Sequence, residues 1–123
     1  MKLFISILPV ISIIVINQLI VKWRITNLYY DLSNVYLLKR FFIYITDPWI
    51  LITYILVFIS SLIYMFVLEK YPISLVYPVS IGMTVLLVNL GGIFFLSEVF
   101  SFKKFIAILL ITSGLILISS TKN

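Results

Sequence analysis

The chain has 123 residues and a formal net charge of +5, and 63% of its residues are hydrophobic while only 11% are charged. Soluble domains carry about 25% charged residues, so this composition excludes a water-soluble globule and indicates a membrane protein. The sequence contains no cysteine and no histidine, which excludes disulfide bonds, thiol catalysis and the usual transition-metal ligands. At this hydropathy, the positive charge suits anionic lipid headgroups rather than nucleic acid.

Four charge-free windows predict four transmembrane helices. An α-helix needs about 20 apolar residues to cross the hydrocarbon core of a bilayer. The windows have close to that length and cover residues 3–21, 48–68, 71–97 and 105–121. The sequence therefore predicts an all-α membrane protein with a single membrane domain, residues 1–123, and helices at about residues 3–22, 48–69, 72–97 and 103–121.

The first predicted helix carries two amides, Asn17 and Gln18, in the apolar stretch "VINQLIVKW". An amide that faces lipid finds no hydrogen-bond partner, so both side chains are expected to face protein or a wet cavity. They either join helices or contact a cargo. Lys22 follows Gln18 by one helical turn and shares its face. It is either a snorkelling anchor or a ligand for an anionic headgroup.

The connection between the first two predicted helices, residues 23–47, is rich in aromatic and basic side chains. Apolar residues at Ile25, Leu28 and Leu32 follow a helical spacing. Such a mixture is typical of the membrane–water boundary, where aromatic rings and Lys or Arg meet the headgroups. We predict an interfacial segment, which is either a general aromatic belt or a dedicated lipid site.

The last two predicted helices carry small and polar residues on defined faces. Tyr77, Ser80 and Thr84 share one face of the third helix, which either lines a cavity or packs closely against a neighbour, and Pro78 predicts a kink in that helix. Ala107 and Gly114 lie two turns apart in the fourth helix. Small residues at this spacing let helices approach closely, so this face is the predicted dimer contact.

The distribution of charged residues gives a weak prediction of membrane orientation and no indication of a catalytic site. Six of the nine Lys and Arg residues fall in the first and third connections, which places both termini outside by the positive-inside rule. The four acids all lie at predicted boundaries: Asp31, Asp47, Glu69 and Glu98. No combination of side chains suits catalysis or metal binding, so we expect no enzyme, no catalytic residue, no metal site and no cofactor.

Three stretches together resemble the small four-helix members of the drug/metabolite transporter superfamily. "NQLIVK" is similar to the signature of their first helix, and "PISLVYP" is similar to the entry of their third. "EVFSFKKFIAILLITSGLILI" resembles their last helix, with Glu98 followed by Ala107 and Gly114. Among these proteins, the chain resembles in particular the subunits that flip aminoarabinose-phosphoundecaprenol. The small multidrug resistance exporters are more distant.

The resemblance implies half of an antiparallel, inverted dimeric transporter in a bacterial inner membrane, paired with a second copy or with a paralogous subunit. The sequence departs from the exporters at two points. Residues 3–21 lack the acid that those proteins use for proton exchange, and Ser80 stands where they place a tryptophan. Both departures favour a polar or anionic cargo over a lipophilic cation.

We therefore predict a transporter subunit that moves a lipid-linked sugar of the undecaprenyl-phosphate type, or a related cell-envelope intermediate, across the bilayer. Two alternatives stay open: a small-molecule or multidrug exporter, and a non-transporting membrane scaffold for a glycosyltransferase. The predicted partners are membrane lipid, the cargo and the second subunit, and not nucleic acid. The predicted substrate-binding residues are Asn17, Gln18, Lys22, Tyr77, Ser80 and Thr84.

Overall fold

The structure, a computed structural model, describes residues 2–120, apart from the side chain of Tyr30. Within that range the chain is helical and contains no strand. The five helices are α1 (Lys2–Leu32), α2 (Leu37–Thr46), α3 (Pro48–Leu68), α4 (Ile73–Leu96) and α5 (Phe102–Ser120). Of these, α1, α3, α4 and α5 are long and apolar enough to cross a membrane. The all-α membrane class is thus confirmed for the described residues.

The bounds of α3, α4 and α5 lie within one residue of the predicted ones, although predicted residue 121 lies outside the described range. The end of α1 differs, because the helix passes Lys22 and continues to Leu32. Residues 23–32 contain neither glycine nor proline, so nothing in the backbone stops the helix at the membrane boundary. At 31 residues, α1 is about 46 Å long, which exceeds a hydrocarbon core of about 30 Å.

The bundle is built around α1, which packs against α3 on one side and α4 on the other, while α5 packs against α4. The core combines Ile7, Val10 and Ile11 of α1 with Val76 and Val79 of α4, and all five are fully buried. These residues lie in the half of the bundle that contains the start of α1. Close apolar packing is therefore concentrated in that half.

An ion pair that the sequence did not reveal joins α1 to the start of α3. Arg24 donates through Nε and Nη2 to Asp47, with a shortest distance of 2.8 Å. Asp47 also caps α3 by accepting from the backbone N–H groups of Trp49 and Ile50. The hydrogen bond from Arg24 is the main reason why the pKa of Asp47 lies below its usual value. This contact fixes the end of α1 that projects beyond the predicted span.

The short helix α2 presents an apolar face that nothing in the described chain covers. Leu37, Leu38, Phe41 and Phe42 follow one another at helical spacing and are 60–83% exposed. On the other side of the helix, the guanidinium of Arg40 lies 5.0 Å from the centre of the Tyr29 ring. An apolar face with basic residues beside it is typical of a helix that lies in the membrane interface. Of the predicted interfacial connection, residues 23–32 form the end of α1 and residues 37–46 form α2.

Pro78 lies inside α4 without ending it. The helix ends instead at Ser97, which adopts the left-handed conformation with a φ of 53°. The N–H groups of Ser97 and Glu98 both point to the carbonyl oxygen of Gly92. This turn folds the chain back over the last turn of α4 and directs Glu98 toward the bundle.

Candidate functional site: a groove with one charged end

A groove of about 710 Å³ lies between α1, α3 and α4, within the range typical of ligand sites. We call it the apolar groove. Its lining contains no charged residue: seven of the fifteen lining residues are apolar and eight carry a hydroxyl or amide group, although apolar atoms form most of the exposed lining surface. It is open on one side, since Gln18 and Tyr77 remain exposed. The polar lining residues are Gln18, Ser60, Ser61, Tyr64, Tyr77, Ser80, Thr84 and Asn89.

Four of the six predicted substrate-binding residues lie on this groove: Gln18, Tyr77, Ser80 and Thr84. They come from two helices, α1 and α4, which run in the same direction. The Ser80 hydroxyl donates to the carbonyl oxygen of Val76 at 2.7 Å, so its donor is used within the helix and its oxygen remains available as an acceptor. The groove thus offers hydroxyl and amide groups on a lining whose exposed surface is mostly apolar.

Two further cavities continue from the apolar groove toward the membrane boundary. The first, of about 320 Å³, shares Gln18, Val88 and Asn89 with the groove. The second, of about 870 Å³, shares Lys22, Leu96 and Glu98 with the first. The three adjoining cavities, which we call the path, therefore present in order apolar surface, two amides and charged side chains.

We call Lys22, Glu98 and Lys104 the charged end of this path. Lys22 lines both outer cavities, as does Glu98, and Lys104 lines the larger one. The Nζ atom of Lys104 lies 3.8 Å from Oε2 of Glu98. The sequence offered no acid near Lys22 because none occurs in the predicted first span, residues 3–22. The structure supplies one from the loop after α4, and the net charge of the three side chains is +1.

Asn17 does not line any of these cavities, in contrast to the prediction that groups it with Gln18. Its Oδ1 atom is buried and has no hydrogen-bond partner among the described residues. The Ser60 hydroxyl donates to the carbonyl of Val10, and Arg24 pairs with Asp47. These two contacts show that α1 and α3 run antiparallel, with residues at the same level whose numbers sum to about 70. Asn17 therefore lies level with Thr53 at the α1–α3 contact. Adjacent residues on a helix point about 100° apart, so Asn17 and Gln18 serve different faces.

The predicted dimer face on α5 is uncovered in the single chain. Ala107 and Gly114 are both exposed, and a Cβ built on Gly114 meets no atom within 4 Å. In α5 only 6% of the spanning window is buried, compared with 17–22% in the other three spanning helices. This helix therefore has the largest surface left for lipid or for a second subunit.

Several lining residues escaped sequence reasoning. Ser60, Ser61 and Tyr64 place three hydroxyls of α3 on the groove. Their signal was present in the sequence "FISSLIY", but serine is common in transmembrane helices for packing reasons. Glu98 and Lys104 gave no signal, because a turn in the left-handed conformation at a serine is not predictable from sequence.

No protein-family model matches the chain, and no curated protein and no solved structure is significantly similar to it.

Proposed function

We propose that this protein is a subunit of a membrane transporter that moves an anionic lipid-linked cargo, such as a lipid-linked sugar of the undecaprenyl-phosphate type, across a bacterial inner membrane. One observation carries the proposal: the apolar groove adjoins, at Gln18 and Asn89, a pair of cavities whose lining includes two lysines at the charged end. An amphiphile has the same order of groups, with an apolar chain, a linking region and an anionic head.

The location of the charged end supports a headgroup rather than a small solute. Lys22 follows directly on the charge-free window of α1, at the depth where the hydrocarbon core gives way to headgroups. Trp23 and Trp49 stack edge to face beside it with ring centres 5.7 Å apart, and tryptophan favours this boundary. A lysine ammonium binds phosphate as a point charge, so the pair of lysines suits a phosphate or diphosphate group.

Multidrug export is less well supported than lipid transport. A lipophilic cation requires an acid in the groove, and the apolar groove has none among its lining residues. The acid that approaches it, Glu98, shares its cavities with Lys22 and Lys104. The charge around it is therefore net positive and repels a cationic drug.

A complete path requires a second subunit, because one side of the groove is open. We propose an antiparallel pair, formed with a second copy or a paralogue, with α5 as the main contact through Ala107 and Gly114. Both residues are exposed and Gly114 has free space above it, so another helix can approach closely. Inverted halves of this kind are a common basis for alternating access.

The experiment that tests the proposal compares two charge-removing variants, Lys22→Gln and Lys39→Gln, in reconstituted vesicles. Lys22 lines the charged end, whereas Lys39 is an exposed residue of α2 and serves as the matched control. We expect transport of a lipid-linked sugar to fall at least tenfold for Lys22→Gln, since charged hydrogen bonds contribute about 1.5–3 kcal/mol, and to change little for Lys39→Gln. Equal losses would show that Lys22 contributes only general surface charge.

A further inference from the structure

Glu98 lies where an anionic headgroup would have to bind. Its carboxylate is 3.8 Å from Nζ of Lys104, and it lines both outer cavities together with Lys22. It also lies directly over α4, because a Cβ built on Gly92 would be 2.9 Å from its Oε2 atom. The carboxylate thus sits between the end of α4 and Lys104, in two cavities that Lys22 also lines.

The backbone holds Glu98 there, while its side chain remains free to leave. The left-handed turn at Ser97 and the hydrogen bond of 3.1 Å from the Glu98 N–H to the Gly92 carbonyl fix the start of the side chain. The contact with Lys104 is longer than the 2.7–2.9 Å typical of a charge-assisted hydrogen bond. Both partners are partly exposed, Lys104 at 46% and Glu98 at 39%, so solvent competes with the pair.

We infer that Glu98 is a displaceable internal counter-ion of the headgroup site. In the absence of cargo its carboxylate neutralises part of the charge of Lys22 and Lys104, and a phosphate headgroup binds by displacing it. The inference rests on the proposed function and adds to it a built-in competitor. A diphosphate linkage or a phosphate monoester carries two negative charges and displaces a single carboxylate, whereas a neutral head has nothing to offer the lysines. Glu98 therefore selects for charged headgroups.

The test uses the purified full chain in detergent and two probes that share one tail: farnesyl phosphate and farnesol. Removing the competitor with Glu98→Gln should tighten binding of farnesyl phosphate by about fivefold, the upper range for an exposed ion pair, and leave farnesol binding unchanged. The matched control is Glu69→Gln, which removes the same charge at the exposed end of α3, on the opposite side of the bundle.

A second variant separates competition from general electrostatics. While Glu98 neutralises Lys104, loss of that lysine should weaken farnesyl phosphate binding only slightly. In the Glu98→Gln background Lys104 is free to bind the head, and Lys104→Gln should weaken binding several-fold more than it does in the natural chain. Such non-additivity is the signature of residues that share one partner, and independent surface charges would give equal losses in both backgrounds.

Each result decides the question. Unchanged or weaker binding of farnesyl phosphate in Glu98→Gln overturns the counter-ion role, and the proposed function survives if the natural chain still prefers farnesyl phosphate to farnesol. If neither protein prefers the phosphate, both proposals fail. Inorganic phosphate is the third probe. If it binds as tightly as farnesyl phosphate and binds more tightly to Glu98→Gln, the counter-ion role is supported and the lipid assignment is overturned.

Discussion

Replacing Gly82 by alanine tests whether α5 is attached to the bundle as the structure shows. A Cβ on Gly82 would meet the Leu115 side chain at 2.5–2.7 Å, whereas carbon atoms pack best at about 3.5–4.0 Å. Leu115 is the buried residue of α5 and therefore its main attachment to α4. To accommodate the new methyl group, Leu115 or the whole of α5 must move by about 1 Å.

The expected magnitude follows from a matched comparison with Gly114→Ala. Both substitutions improve helix propensity by about 1 kcal/mol, but the Cβ at Gly114 meets nothing within 4 Å. Propensity and unfolded-state effects cancel between the two variants. The difference then reports overpacking, which costs about 1–3 kcal/mol, so Gly82→Ala should be less stable than Gly114→Ala by that amount.

The assay is unfolding in mixed micelles with increasing denaturing detergent, followed by tryptophan fluorescence. Trp23 and Trp49 lie 5.7 Å apart and separate when α1 leaves α3. Measurements at high detergent-to-protein ratio keep the chain monomeric, so that a dimer contact at Gly114 does not enter the comparison. If Gly82→Ala were within about 0.5 kcal/mol of Gly114→Ala, the size expected of a surface change, the α4–α5 packing described above would be wrong.

Three further predictions follow from individual contacts. Asp47→Ala should lower stability by about 1 kcal/mol or more through loss of the α3 cap. Because Arg24 lowers the pKa of Asp47, the stabilisation by Asp47 should be complete above about pH 4 and be lost as the pH falls further. Unfolding curves measured from pH 3 to 6 should show this pH dependence in Asp31→Asn and lack it in Asp47→Asn. Ser97→Gly should raise stability by about 1 kcal/mol, since Ser97 has a φ of 53° that glycine adopts without penalty, whereas Ser97→Ala should not; equal melting temperatures would argue against the left-handed turn. Gly114→Leu should lower the dimer fraction in bilayers, measured by single-molecule photobleaching, because it blocks close approach of the helices. An unchanged dimer fraction would show that the dimer contact does not lie on this face of α5.

Much of the helical framework was predictable because the bilayer imposes a length on each span. The predicted bounds of α3, α4 and α5 lie within one residue of those in the structure. The end of α1 was not predictable in this way, since a helix does not stop where the membrane ends unless a residue breaks it. Its extension depends on a partner far along the chain, because Arg24 pairs with Asp47, 23 positions away.

The candidate site was predictable only in part, for a related reason. Helical spacing places Tyr77, Ser80 and Thr84 on one face whatever the neighbours are, and these three residues do line one groove. Spacing within a single helix does not reveal which face meets which helix. The sequence therefore predicts both Asn17 and Gln18 as substrate-binding residues, although their side chains point in different directions. The charged end depends on a loop that folds back over Gly92, and loop conformation has no periodic signal.

The charged end lies at one end of the path only, and this asymmetry has a consequence for the proposed transport. Lys22, Glu98 and Lys104 lie on the side where α1 leaves the membrane and α5 enters it, while the Tyr64 and Tyr77 end of the groove carries no charged lining residue. A lipid that crosses the bilayer needs its headgroup bound at both faces in turn, because an unpaired charge is costly in the membrane interior. On the proposed function, one chain supplies a headgroup site at a single face. An inverted second subunit would supply the other, and the two apolar grooves would then run antiparallel between two cationic ends. The weak charge bias of the loops is compatible with this arrangement, since a chain with little preference for either orientation can be inserted both ways.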